Sequence, residues 1–370
     1  MKKISAILAL VLCVCMLAGC AGTPVVYYSD CTCPVEAHQD AQVQAPAATE
    51  APVTQTPVQE VVAEGSVKTG MALVTGLGKS ASASAEANGK ADYDVTIVAV
   101  TVDDNGVIQS CIIDGIATSV EFDASGVIVT DLTKPVQTKN ELGENYGMVA
   151  WGGAIAEWDA QAAALAAFAV GKTVEELRSG AVAETGYAPE GSDLASSATI
   201  YLGGYVSAIE AAVANAQHLG AQAGDELKLA VIAGNSSSAA ATAEAAGNAQ
   251  LDVDIAVVTM NGDMITSCAI DSVQAKVAFD AAGVITSDVS APAATKNQLG
   301  ENYGMVAWGG AVAEWNEQAA SFAAYVTGKT PAEVAGIAVN ERTAPVDADL
   351  ATSVTIAIGG FQALVAKAAQ

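Results

Sequence analysis

Basic residues are scarce in this chain. Fifteen Lys and Arg stand against 41 Asp and Glu, for a formal charge of −26. Nucleic acids and anionic lipid surfaces are read through clustered Lys and Arg, so the balance argues against both as partners. Histidine is scarcer still, with only His38 and His218. Neither recurs in the repeat described below, and nucleophilic hydrolysis of the Ser–His or Cys–His kind lacks its base. Five of seven cysteines (Cys13, Cys15, Cys20, Cys31, Cys33) fall near the start, leaving only Cys111 and Cys268 in the body of the chain. A disulfide framework is therefore not indicated, and these two read as small buried hydrophobes. The CTC at residues 31–33 with His38 offers three ligands, one fewer than a structural zinc site takes. No P-loop, GxGxxG or zinc spacing occurs.

Long apolar runs are nearly absent as well. One at residues 4–16, preceded by Lys2 and Lys3, is too short to span a bilayer comfortably and reads as the core of a secretory signal over residues 1–19. Leu17, Ala18, Gly19 and Cys20 then spell LAGC, the shape of a bacterial lipobox. Cleavage would leave a lipid-bearing Cys20 as the anchor to the outer face of a membrane. It would also remove two lysines, taking the charge from −26 to −28. Residues 20–65 carry Pro24, Pro34, Pro46, Pro52 and Pro57 without a sustained apolar period, the composition of an extended, disordered tether.

What the chain has in abundance is itself. Residues 138–158, TKNELGENYGMVAWGGAIAEW, return as TKNQLGENYGMVAWGGAVAEW at 295–315, with Glu141 against Gln298 and Ile155 against Val312 as the only differences. The offset of 157 residues is far longer than a solenoid repeat, so each copy is long enough for a domain with its own core. Boundaries at 66–220 and 221–370 follow.

Within each copy the apolar period changes once. DYDVTIVAVTV and VIQSCIID flank Asn105–Gly106, and LDVDIAVVTM and MITSCAID flank Asn261–Gly262, as in type I′ hairpins. FDASG and FDAAG predict a second, glycine-bearing turn. Afterwards Trp151, Ile155, Trp158, Ala162, Leu165 and Ala169 step at helical spacing, matched by Trp308, Val312, Trp315, Ala319, Phe322 and Val326. This predicts one core-facing stripe ending at Gly171 or Gly328. TVEE and TPAE predict capping boxes, and a final amphipathic helix closes each copy. Strands first and helices later predict an α+β fold: in each copy an antiparallel meander with helices on one face. Asp114, Asp271, Glu157 and Glu314 are assigned to turns and helix surfaces.

The chemistry is expected where DLASSAT (193–199) leads into the closing helix, because a helix start presents free N–H groups and hydroxyls add donors for a phosphate. DLASSAT resembles the DxxSGAT signature of the FMN-binding domain family, which is related to the NADH:quinone reductase C subunit and its Rnf counterpart. Asp193, Ser196, Ala198 and Thr199 match, and Ser197 stands in place of glycine. The resemblance implies FMN joined through its phosphate to Thr199. In the second copy Asp349, Thr352 and Thr355 match, with Ser353 and Val354 replacing glycine and alanine. The chain is also similar, through TKNELGENYGM and GKT, to clostridial-type lipoproteins of the major membrane immunogen group. Together these imply a membrane-anchored extracytoplasmic FMN electron carrier serving membrane redox partners. The alternative is a surface lipoprotein, binding or structural, in which the same residues simply cap a helix.

Overall fold

The computed structural model describes residues 65–370, so the expected signal, Cys20 and nearly all of the expected tether lie outside the described residues. Three strands open the first half: β1 (Lys68–Gly76), β2 (Gly89–Val102) and β3 (Ile108–Phe122). They pair in order as an antiparallel meander. Six helices follow: α1 (Lys139–Leu142), α2 (Met148–Gly152), α3 (Trp158–Ala169), α4 (Val174–Ala181), α5 (Asp193–Ser197) and α6 (Gly203–Ala214). The second half repeats this with β4 (Glu226–Gly234), β5 (Gly247–Asn261) and β6 (Met264–Phe279). Its helices are α7 (Lys296–Leu299), α8 (Met305–Gly309), α9 (Trp315–Val326), α10 (Pro331–Ala335), α11 (Ala348–Ala351) and α12 (Gly359–Ala368). The fold is α+β with two three-stranded antiparallel sheets.

Strand β2 shows how the layers arise. Side chains alternate across a strand, so one face of β2 carries Ala91, Tyr93, Val95 and Ile97, and the other Val98, Val100 and Val102. The second set meets Leu165, Leu177, Ile209 and other helix residues in a core that belongs to the first half. The first set meets Val231, Leu251, Val253, Ile255 and Val273 of the second half. Each half thus has a helix-facing core of its own, while a third core is shared between the two sheets. That arrangement is why β2 alternates up to Thr96 and becomes a nearly continuous apolar run from Ile97 onward, where both faces are buried.

Within the shared layer, at the ends of β3 and β6, Phe122 and Phe279, matched by the repeat, stack at 4.0 Å with planes 1° apart. Gly89 and Gly247 lie on their outer sides. A Cβ at Gly89 would come 2.3 Å from the Phe122 ring and 2.6 Å from the Ala83 nitrogen, so this position has no room for any side chain. The loops also reach across. Ala83 N donates to Gly283 O and Ala241 N to Gly126 O, at 2.7 and 2.8 Å. Ala293 bridges to Thr75 on β1, and Val136 bridges to Ala233 on β4. Residues Glu60–Gln370 accordingly form one compact unit.

Three local expectations need correction. The Asn–Gly turns are not type I′, since Gly106 and Gly262 take positive φ and neither asparagine does. In the first half the turn is closed over five residues, with Asp103 N donating to Val107 O. The apolar stripe is also broken. Gly153 is left-handed (φ 64°), and the Glu157 carboxylate accepts from Met148 N and Val149 N at 2.8 and 3.0 Å. The chain folds back there, so Trp158, Ala162, Leu165 and Ala169 are buried while Trp151 is 90% exposed and Ile155 lies open. Trp308 and Val312 repeat this exactly opposite outcome to the predicted core stripe, Trp308 at 90% exposure. Third, Asp114 and Asp271 are not turn residues but buried members of β3 and β6, and Glu157 and Glu314 tie down α2 and α8. The capping boxes of TVEE and TPAE and left-handed Gly171 and Gly328 past the helix ends are as expected, and Pro331 opens the helix that follows TPAE's threonine.

Candidate functional site

The duplicated stretch builds a self-contained scaffold. Thr138 and Glu141 close a capping box on α1. Asn140 donates its side-chain amide to Ile113 O and its backbone N–H to Asp114 Oδ1, both near 3.0 Å. Lys139 is buried with its ammonium 4.8 Å from the Trp158 ring centre and 5.5 Å from that of Tyr146. Burial pushes its pKa down, against the opposing pull of Asp94 at 3.8 Å. Lys296, Tyr303 and Trp315 make the same arrangement in the second half. These contacts account for the repeat of its capping, lysine, asparagine, tyrosine and second tryptophan residues, but not for the exposed Trp151 and Trp308.

Asp114 and Asp271 are held unusually. Burial raises both carboxyl pKa values, although backbone N–H groups and a threonine hydroxyl oppose it. A folded pKa above the unfolded one gives stability that is complete below the ordinary carboxylate value of about 4 and is lost as pH rises through the folded value. Asp114→Asn keeps the acceptor but removes the titration. Its unfolding free energy, from urea melts at pH 4.5 and 7, is expected to fall less with rising pH than the parent's. Equal pH slopes would contradict this assignment.

The DLASSAT residues are not the mouth of the closing helix. They form the separate five-residue α5, capped by the Ser192 side chain on Ala195 N, and α6 starts later at Gly203 without a side-chain cap. Asp193 is the exposed first residue of α5. Ser196 Oγ donates to Asp193 O at 2.6 Å, and Ser197 Oγ shares Asp193 O and Leu194 O at 3.3 Å. Ala198 is buried in the helix-facing core. Thr199 lies on the surface in the link between the helices. The second half follows suit: Asp349 sits within α11, Thr352 Oγ1 donates to Asp349 O at 3.1 Å, Val354 is buried, and Thr355 is exposed.

The organising side chain is one that sequence reasoning passed over. Gln161, wholly buried on α3, accepts at Oε1 from Thr199 N (2.7 Å), Thr199 Oγ1 (3.2 Å) and Ile200 N (3.2 Å). Its Nε2 donates to Ala156 O at 2.8 Å. Gln318 holds Thr355 N, Thr355 Oγ1, Ile356 N and Ala313 O in the same way. A glutamine at the same place in WDAQ and WNEQ, inside an apolar stripe, was the available signal. Through it each exposed threonine is fixed near the fold-back loop that bears Ile155, or Val312. Among the described residues no cluster of His, Cys, Asp or Glu could hold a metal ion. Nor is any described helix long and apolar enough to cross a membrane.

The fit to FMN is specific in kind. A non-covalent phosphate cradle is not built here, because the serine hydroxyls are spent on their own helix and α5 is only five residues long. A phosphoester on Thr199 does fit: the hydroxyl is exposed, and on losing its proton it gives up one 3.2 Å hydrogen bond while Gln161 keeps both backbone N–H groups. Compared with known proteins, the chain matches no family profile, no curated protein and no solved structure.

Proposed function

We propose that this chain is an extracytoplasmic protein, anchored through lipid on Cys20, that carries FMN covalently and relays electrons between membrane partners. In this reading each half is an FMN-binding-type domain, and the tether holds the pair clear of the membrane. The observation that carries it is the shared setting of Thr199 and Thr355: exposed hydroxyls whose backbone is clamped by a buried glutamine. Bound FMN would supply reversible electron transfer from its ring system. The protein's part is position. Gln161 holds the Thr199 backbone, and the exposed apolar Ile155, next to the Ala156 carbonyl that Gln161 also holds, offers a nearby surface on which a ring could lie.

Co-expression with a flavin transferase tests this. The purified chain is expected to be yellow and fluorescent in a denaturing gel. Thr199→Ala removes one flavin per chain, and the double variant with Thr355→Ala has none. A colourless chain would sink the proposal. The serine back-bonds within α5, which suit a plain helix end, favour the second reading of a surface lipoprotein that binds no flavin.

A further inference from the structure

A groove of about 900 Å³ runs between the halves, on elements that do not include Thr199 or Thr355. One wall is β1 with the end of α6, and the other is β6 with α7 and α9. Its volume lies within the range of small-molecule sites. The repeat supplies a matched place on the other side of the molecule, where β4 and α12 face β3 and α1. There Lys367 of α12 reaches across to the Glu141 carboxylate and to Val231 O.

The two sides differ at the residues that matter. Ala211 stands where the other side has Lys367, Gln298 where it has Glu141, and Asn316 where it has Asp159. Three charged positions are thus neutral in the groove. No Lys or Arg lines it, and its one acid, Asp271, is buried with its pKa raised. Gln298 turns Oε1 to Thr295 N at 2.9 Å, which leaves its Nε2 as a donor. Asn215 donates Nδ2 to Met71 O at 3.2 Å, which leaves its Oδ1 as an acceptor. Asn316 Oδ1 is sealed beneath the groove wall, so the amide groups open to a ligand are those of Gln298 and Asn215. Alanines of α6 and α9 keep the walls low between these amides.

We propose that this groove binds one uncharged heterocycle per chain, through a ring edge that sets an N–H donor beside a carbonyl acceptor, as in a nucleobase or an unphosphorylated flavin. The N–H meets Asn215 Oδ1 and the carbonyl meets Gln298 Nε2. With no Lys or Arg in the lining and its one histidine, His218, tied to the Asp104 carboxylate, a groove on a chain of −26 selects against the phosphorylated forms of the same rings. The inference is independent of flavin attachment at Thr199.

Isothermal titration of the full chain with riboflavin and uridine, and with FMN and uridine monophosphate as charged counterparts, tests it. At least one neutral ligand is expected to bind with a stoichiometry of one, and its phosphorylated form at least about tenfold more weakly. Ala211→Lys with Gln298→Glu, which rebuilds the clamp, is expected to abolish binding. Asn215→Leu, which leaves the groove open, is expected to weaken it about tenfold. Thr199→Ala should bind as the parent does. No saturation by either neutral ligand, equal or tighter binding of the phosphorylated forms, or unaltered binding in both groove variants would overturn the proposal.

Discussion

Phe122→Ala is expected to destabilise the protein by about 3–5 kcal/mol, the range for removing a fully buried aromatic ring. The ring is wholly buried and stacks on Phe279 at 4.0 Å, in a large core that draws on both halves. Its other side rests on Gly89, whose backbone cannot move in without displacing Ala83. Little can therefore collapse into the space, which places the cost at the upper part of that range. Phe279→Ala should cost as much, because the repeat puts it in matching surroundings. Phe122→Leu retains most of the volume and should cost less. Urea denaturation followed by tryptophan fluorescence and circular dichroism gives these values. A loss below about 1 kcal/mol would mean that the two sheets do not depend on each other.

Gln161→Leu carries the second large effect. The substitution nearly conserves volume, so the loss comes from polarity alone. Ile200 N and Ala156 O lose their partners beneath the surface, and Thr199 N loses its shortest hydrogen bond. Each buried group left unpaired costs about 1–3 kcal/mol, and since Thr199 can turn to water the sum is expected near 2–4 kcal/mol. Gln161→Glu keeps the acceptor and loses only the donor to Ala156 O, so it should cost less, and least at low pH where a protonated carboxyl can donate. If Gln161→Leu melts with the parent, the clamp on Thr199 is not holding the link.

Much of this architecture could be read from residues alone, for physical reasons. Alternation in DYDVTIVAVTV gives a strand whatever lies on its faces, and Thr173 with Glu176 spells a cap whose donors and acceptors are all local. What escaped were contacts between residues far apart in the chain. A single run of apolar residues on β2 cannot say whether its second face meets a helix or another sheet, and here it meets both. Trp151 kept helical spacing with Trp158, yet a left-handed Gly153 and the Glu157 carboxylate turned it to solvent. The same limit hid the role of Gln161, whose partners are nearly 40 residues away. At the motif itself the types of residue were legible, but their hydrogen bonds were not: the serines that suggest a phosphate cradle bond to their own helix. The groove was invisible because its walls come from opposite halves. Even so, Glu141 against Gln298, one of two differences in 21 positions, marks where the halves part company.

The intact mass of the chain after co-expression with a flavin transferase, followed by peptide mapping, bears most directly on the proposed role. The account predicts a gain of two FMN less two waters, one on the peptide containing Thr199 and one on that containing Thr355, with the first absent from Thr199→Ala. An unmodified mass in a folded chain, with the transferase shown to be active on another substrate, would contradict it.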